Sequence, residues 1–161
     1  MPGMGRLRYT MQVREAREED WEGVLEKCQL FFKHTPMNSR CEFEEAGLKQ
    51  LFYQSLESDG AQIWVVDDGK VVGFCVMILF PLVFSISTKV AQELSWWLDP
   101  EYRGSGAAQQ MTAKMEEWAR AQGANHMFMI ALENDKIDGM KQVYEKMGFT
   151  PIERTFCKEL T

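Results

Sequence analysis

Apolar and polar residues along this chain follow two periods, and each change of period marks an element. Residues 11–17 are short and partly alternating, which predicts a first strand. Trp21, Val24, Leu25, Cys28 and Phe32 then recur at helical spacing, with Glu18, Glu19 and Asp20 at the end where the helix dipole favours anions. Residues 34–40 read as a loop. Phe43, Leu48, Leu51, Phe52 and Leu56 mark one face of a second helix that closes at Asp59-Gly60. The clearest β signal follows: residues 62–66 are apolar and β-branched, residues 67–70 form a tight turn, and residues 71–79 return as a second strand. An irregular stretch is expected over residues 81–89, then a strand over 93–98. From Gly106 the spacing is helical again through Ala108, Met111, Met115 and Trp118, with Gly123 as the stop. Residues 127–132 predict a buried strand. Ile137, Met140, Val143, Tyr144 and Met147 form a further helical stripe ended by Gly148, and residues 149–160 predict a closing strand. Hairpins early and strand-helix-strand units late give an α/β (α+β) fold, with a mixed, mostly antiparallel sheet flanked by helices.

The 161 residues suffice for one domain with a real core, and no repeat or linker divides them. Residues 1–10 read as a loose extension with no apolar stretch of the kind a signal peptide needs, so the fold is expected over 11–161. A hydrophobic fraction of 45% beside 26% charged residues is that of an ordinary globular protein. The net charge of −6 argues against a nucleic-acid partner and suits a cationic one such as an amine. Cys28, Cys41, Cys75 and Cys157 are scattered, so neither a disulfide framework nor a metal site is expected, and a reduced cytoplasmic setting follows. The longest apolar run, residues 71–84, is interrupted by Pro81 and falls short of the roughly 20 residues that span a bilayer, so no membrane is expected.

Chemistry concentrates at one junction. After a predicted strand come Asp99-Pro100-Glu101-Tyr102-Arg103-Gly104-Ser105-Gly106-Ala107-Ala108, and then a helix. A helix start carries backbone N–H groups without intrahelical acceptors, backed by the positive end of the dipole. Gly104, Ser105, Gly106, Ala107 and Ala108 have so little bulk that a pyrophosphate can reach that backbone, and Arg103 adds a cation. The loop lacks the Gly-Lys-Ser/Thr of a Walker motif and the third glycine of a dinucleotide fingerprint. The other reading is a small-residue turn that lets the helix approach the sheet, with Arg103 as a surface charge.

Residues 103–108 resemble the R/Q-x-x-G-x-G/A signature of GNAT acetyltransferases, and residues 99–102 resemble its usual lead-in. Val143-Tyr144-Glu145-Lys146-Met147-Gly148-Phe149 is similar to the second signature of that family, a helix carrying Tyr and ending in Gly-Phe. The two lie in the family's order, and the strand-helix-helix opening fits it too, so the resemblance covers nearly all the chain from Met11. It implies an acetyl-CoA-dependent N-acetyltransferase acting on a primary amine. It implies also a strand that splays from its neighbour before the signature, with pantetheine along Trp96 and Leu98 and pyrophosphate on Arg103, Gly104, Ser105, Gly106, Ala107 and Ala108. A backbone N–H near the strand end would polarise the thioester carbonyl. Where many members carry Asn about two turns before the helix Tyr, this chain has Ile137; Asn134, three residues earlier, is the candidate for that cofactor contact.

Acetyl transfer needs a neutral amine, a stabilised oxyanion and a proton for the departing thiolate. A phenol stays protonated at neutral pH, so Tyr144 is the candidate acid; by spacing alone it also fits a core aromatic beside Met140 and Met147. Glu93 opens the strand leading to the loop and resembles the base of some family members; the alternative is a solvated strand-edge charge. Glu133 and Asp135 are further base candidates, and His34 and His126 read as bystanders, remote in sequence from both signatures. The acceptor is expected between residues 32–44 and 80–90. Trp96 and Trp97 read as sheet packing, one of them facing away from the core if the strand alternates. A monomer or homodimer is expected. Two other readings use the same fold, a non-catalytic acyl-CoA-binding module and a protein-interaction module.

Overall fold

The computed structural model describes residues 10–161, which form two compact units, one running to Ile130 and the other Ala131–Thr161. The first nine residues, most of the expected extension, lie outside the described part. In the first unit β1 (Gln12–Glu15), β2 (Ala61–Asp67), β3 (Val71–Leu82), β4 (Ser85–Leu98) and β5 (His126–Phe128) lie side by side in chain order. The first three pairings are antiparallel, and β5 runs parallel to β4. A parallel neighbour needs a crossover, which α3 (Ala107–Ala121) provides.

Both faces of this sheet are covered. Trp64, Cys75, Met77, Ala91 and Leu98 pack with Met111 and Met115 of α3. On the opposite face Ile63, Phe74, Val76 and Trp97 pack with Trp21 and Val24 of α1 (Trp21–Lys33) and Phe52 of α2 (Glu45–Glu57). Two-sided burial explains why β2 reads as a continuous apolar run and not as an alternation. It also corrects the expectation for the paired tryptophans. Trp96 packs against the α3-side core and Trp97 is buried in the α1-side core, so neither faces away from packing.

The hairpin β3–β4 is longer than its sequence suggests. Pro81 was expected to break it, yet Phe80 pairs with Val90 and Pro81 with Lys89. Lys89 turns its backbone away from Pro81: its N–H donates to Asn125 Oδ1 at 2.9 Å, and its carbonyl accepts from the Asn125 N–H at 2.8 Å. Pro81 thus sits where the ladder asks for no donor, and the missing N–H costs nothing.

In the second unit the Asn134 side chain starts α4 (Ile137–Lys146), its Oδ1 accepting the Lys136 N–H at 2.9 Å. Gly148, at φ +91°, ends the helical run, and the Phe149 N–H donates to the Tyr144 carbonyl at 3.0 Å. The closing strand expected over residues 149–160 does not form. Pro151 lacks an N–H, and Ile152, Phe156 and Leu160 recur every fourth residue, which is not the two-residue repeat of a half-buried strand; all three are exposed. Among the described residues no helix is long and apolar enough to cross a membrane.

Candidate active site

β4 is supported unequally on its two sides. Its ladder to β3 continues to Leu98, which pairs with Gly73, but its ladder to β5 holds only Val90, Ala91 and Gln92 against His126, Met127 and Phe128. From Glu93 onward β4 and β5 part. A bulge lies at the same place: Met77 opposes Glu93 and Val76 opposes Ser95, so Leu94 is the extra residue. The bulge resets the alternation. Ala91 and Leu98 both face the α3-side core although an odd number of positions separates them, while Leu94 and Trp97 face the α1 side.

Glu93 sits at the parting point. It is 1% exposed, so the reading of a solvated strand-edge charge does not hold. Its Oε2 accepts the backbone N–H of Ile130 at 3.0 Å, a bond that reaches past the end of the β4–β5 ladder. Burial pushes its pKa up to about 8, against the opposing effect of the Ile130 N–H. The buried Cys75 thiol is raised too, first by burial and then by the Glu93 charge.

The small-residue turn follows directly. A short 3₁₀ turn, Pro100–Tyr102, is tied down by Tyr102, whose hydroxyl donates to Asp68 Oδ2 at 2.7 Å. The Ser105 hydroxyl donates to the Tyr102 carbonyl and accepts the Ala107 N–H at 3.3 Å, which caps the entry to α3. Gly104 and Gly106 adopt φ of +83° and +90°, values that disfavour side chains. A Cβ built on either would meet nothing within 4 Å, so the turn faces open space rather than packing on a neighbour. Among the described residues, no acceptor takes the N–H groups of Gly104, Gly106 or Ala108. Open space, bare backbone and a helix start fit a pyrophosphate.

Arg103 does not point its guanidinium along this turn. Its Nε donates to the Leu98 carbonyl at 3.0 Å, and its Cζ lies 5.0 Å from the Trp97 ring centre. Trp97 is itself fixed: its Nε1 donates to Asp99 Oδ1 at 2.9 Å, and Asp99 Oδ2 pairs with Lys27 Nζ of α1 at 2.9 Å. The His34 ring lies 5.0 Å from the Trp97 ring. Sequence distance set His34 aside; the fold brings it to the end of β4. Only the α1-to-β4 packing creates that neighbour, so no spacing in the sequence signals it. His126 is exposed on β5, opposite Val90.

The remaining candidates lie in the second unit. Tyr144 is buried on α4, with its ring 5.8 Å from that of Phe149. Asn134 has its side-chain oxygen engaged at the start of α4, and Glu133 lies 3.8 Å from Arg154. Among the described residues no cluster of His, Cys, Asp or Glu has the arrangement of a metal site.

The sequence profile of the acetyltransferase (GNAT) family matches residues 12–149, and the chain belongs to that family. No curated protein matches it. Solved structures share the fold at low identity. One is the acetyltransferase AAC(6')-Iy bound to a bisubstrate analogue, CoA-S-monomethyl-acetylneamine, at 19% identity and TM-score 0.72, covering 94% of this chain and 99% of that one. A transcriptional regulator from Bacillus halodurans C-125 superposes at TM-score 0.74 and 17% identity, over 94% and 100% of the two chains. Glucosamine-6-phosphate N-acetyltransferase from Arabidopsis thaliana gives 0.72 and 15%, over 94% and 99%.

The buried Glu93 makes a stability prediction. A carboxyl whose pKa is about 8 when folded, against an ordinary 4.5, stabilises the fold fully below pH 4.5 and loses that contribution as pH rises to 8. Urea denaturation midpoints of the wild type should therefore fall across that window relative to those of Glu93→Gln, whose amide cannot ionise. Parallel pH curves for the two proteins would contradict the assignment.

Proposed function

We propose that the chain transfers the acetyl group of acetyl-CoA to a primary amine by direct attack on the thioester. The observation that carries this reading is that β5 leaves β4 after Gln92, on the strand that leads into the Gly104-Ser105-Gly106 turn. One feature offers a strand edge to pantetheine, and the other offers bare N–H groups to the pyrophosphate, in the order in which those groups follow each other in CoA. Trp96 and Leu98 line the pantetheine, and Arg103, Gly104, Ser105, Gly106, Ala107 and Ala108 take the pyrophosphate. The roles of Asn134 and Tyr144, as cofactor contact and acid, rest on the family signature.

The amine nitrogen attacks the thioester carbon and a C–N bond forms. The resulting oxyanion is stabilised by a backbone N–H near the end of the strand. Glu93, directly or through a water, takes the proton that the nitrogen loses. Collapse of the intermediate breaks the C–S bond, and the Tyr144 hydroxyl protonates the leaving thiolate before recovering its proton from solvent. The products are an N-acetyl amide and free CoA. A carboxyl with its pKa at about 8 matches proton transfer near neutrality better than an ordinary one.

Three outcomes test this reading. Titration with CoA should raise the melting temperature of the wild type by mass action, and Gly106→Val should remove the shift, since a branched side chain is strained at φ +90° and fills the turn. No shift in the wild type at millimolar CoA contradicts the reading. For Glu93, kcat should rise with pH to a plateau above about 8. In Glu93→Gln that inflection should vanish and the rate should drop by about 10²–10⁴. A retained inflection in the variant removes Glu93 from proton transfer. Tyr144→Phe should lower kcat while leaving KM for acetyl-CoA nearly unchanged, with the deficit shrinking for acyl donors whose leaving thiol is more acidic. Full activity under conditions where chemistry limits the rate would make Tyr144 a packing residue.

A further inference from the structure

The side chain of Arg103 serves two demands that conflict. The Asp99 N–H donates to the Val72 carbonyl of β3 at 2.9 Å, so Asp99 faces β3, and its neighbour Leu98 presents its carbonyl to the opposite side. That is the side on which β5 has already left β4. There the Leu98 carbonyl is taken by Arg103 Nε at 3.0 Å. The guanidinium is held in place by its stacking on Trp97, which cannot swing aside because Asp99, paired with Lys27, anchors its indole N–H. Arg103 belongs to the small-residue turn, yet its Nε is bonded to the strand. A pantetheine laid along β4 meets Arg103 at Leu98, and a pyrophosphate on the turn offers the same guanidinium a doubly charged partner in place of a neutral carbonyl. Both bonds have a charged donor, but only the phosphate pairs it with a charged acceptor and in a forked geometry, so the exchange runs toward the phosphate.

We propose that Arg103 determines donor specificity: it occupies the Leu98 carbonyl until a pyrophosphate draws it onto the turn, so that CoA thioesters are accepted in preference to pantetheine thioesters that lack the pyrophosphate. Side-chain rotation alone makes the change, since Arg103 is already in the turn, and the indole of Trp97 is the platform from which it departs. This inference rests on the reading of the chain as a CoA-dependent transferase. It differs from a plain phosphate contact in one respect. A contact residue helps CoA and is indifferent to pantetheine, whereas a residue that blocks the strand until phosphate arrives penalises pantetheine.

The test is calorimetric titration of the wild type, Arg103→Ala and Arg103→Lys with CoA and, separately, with pantetheine. Arg103→Ala should bind pantetheine more tightly than the wild type by about tenfold, the scale of one hydrogen bond from a charged donor, and should bind CoA more weakly. Arg103→Lys lacks the Nε–H that holds Leu98 but keeps a cation for the phosphate, so it should gain for pantetheine and keep most of its CoA affinity. Pantetheine binding that is unchanged, weaker or absent in both variants, with CoA bound by the wild type, overturns the specificity role alone. A wild type that binds neither ligand overturns this role and the functional reading together.

Discussion

The organisation of the first unit depends on how β4 is held. From Lys89 to Leu98 it is paired with β3, apart from the bulge at Leu94, but β5 accompanies it only as far as Gln92. A strand in the middle of a sheet is ordinarily satisfied on both sides, because unpaired backbone groups are costly to bury. Here the β5 ladder stops at Gln92, well short of the small-residue turn. The bulge at Leu94 lies where the two strands part, and it redirects the side chains so that Glu93, Trp96 and Leu98 share one face and Leu94 and Trp97 the other. The parting, the bulge and the buried carboxyl fall at one place in the strand.

Ion pairs around this region fix its edges. Asp20 accepts two bonds from Arg14, at 2.7 and 2.9 Å, and one from the Arg17 N–H, while Arg14 also reaches Asp67, so the start of α1 is tied to β1 and β2. From the middle of α1, Lys27 reaches Asp99 beside the turn. Removing one partner of such a buried pair strands the other, which makes these positions intolerant of single changes. The turn itself is held by short-range bonds from Tyr102 and Ser105, leaving its glycine backbone exposed without leaving it unsupported. Rigidity in the surroundings and bareness at the centre are what an anion site requires.

Much of this was legible in the sequence. The helices of the first unit and the strands of its hairpin announced themselves by period, and the two signatures fixed the family because each fell at its proper junction between elements. What escaped was what depends on neighbours. Pro81 reads as a breaker until Asn125 is seen taking the backbone of Lys89. Residues 149–160 carry enough apolar residues to suggest a strand, but a strand needs a partner and a two-residue repeat, and this stretch forms no ladder. Glu93 was found by its place ahead of the turn; its burial and its bond to Ile130 depend on neighbours distant in sequence, which no residue type signals. His34 lies far in sequence from Trp97, and the commitment of Arg103 to Leu98 is equally invisible to spacing.

Reaction of a CoA thioester with an amine on this chain is tested by following both products at once. The protein is mixed with acetyl-CoA and a panel of primary amines, comprising peptides with free N-termini, lysine, polyamines, aminoglycosides and amino sugars. Free thiol is assayed alongside the acetylated amines by mass spectrometry. At least one amine should be acetylated in amounts equal to the thiol released, and Gly106→Val should abolish both. CoA binding without thiol release for any amine would contradict catalysis and leave a binding module; thiol release with no acetylated amine would contradict transfer to nitrogen.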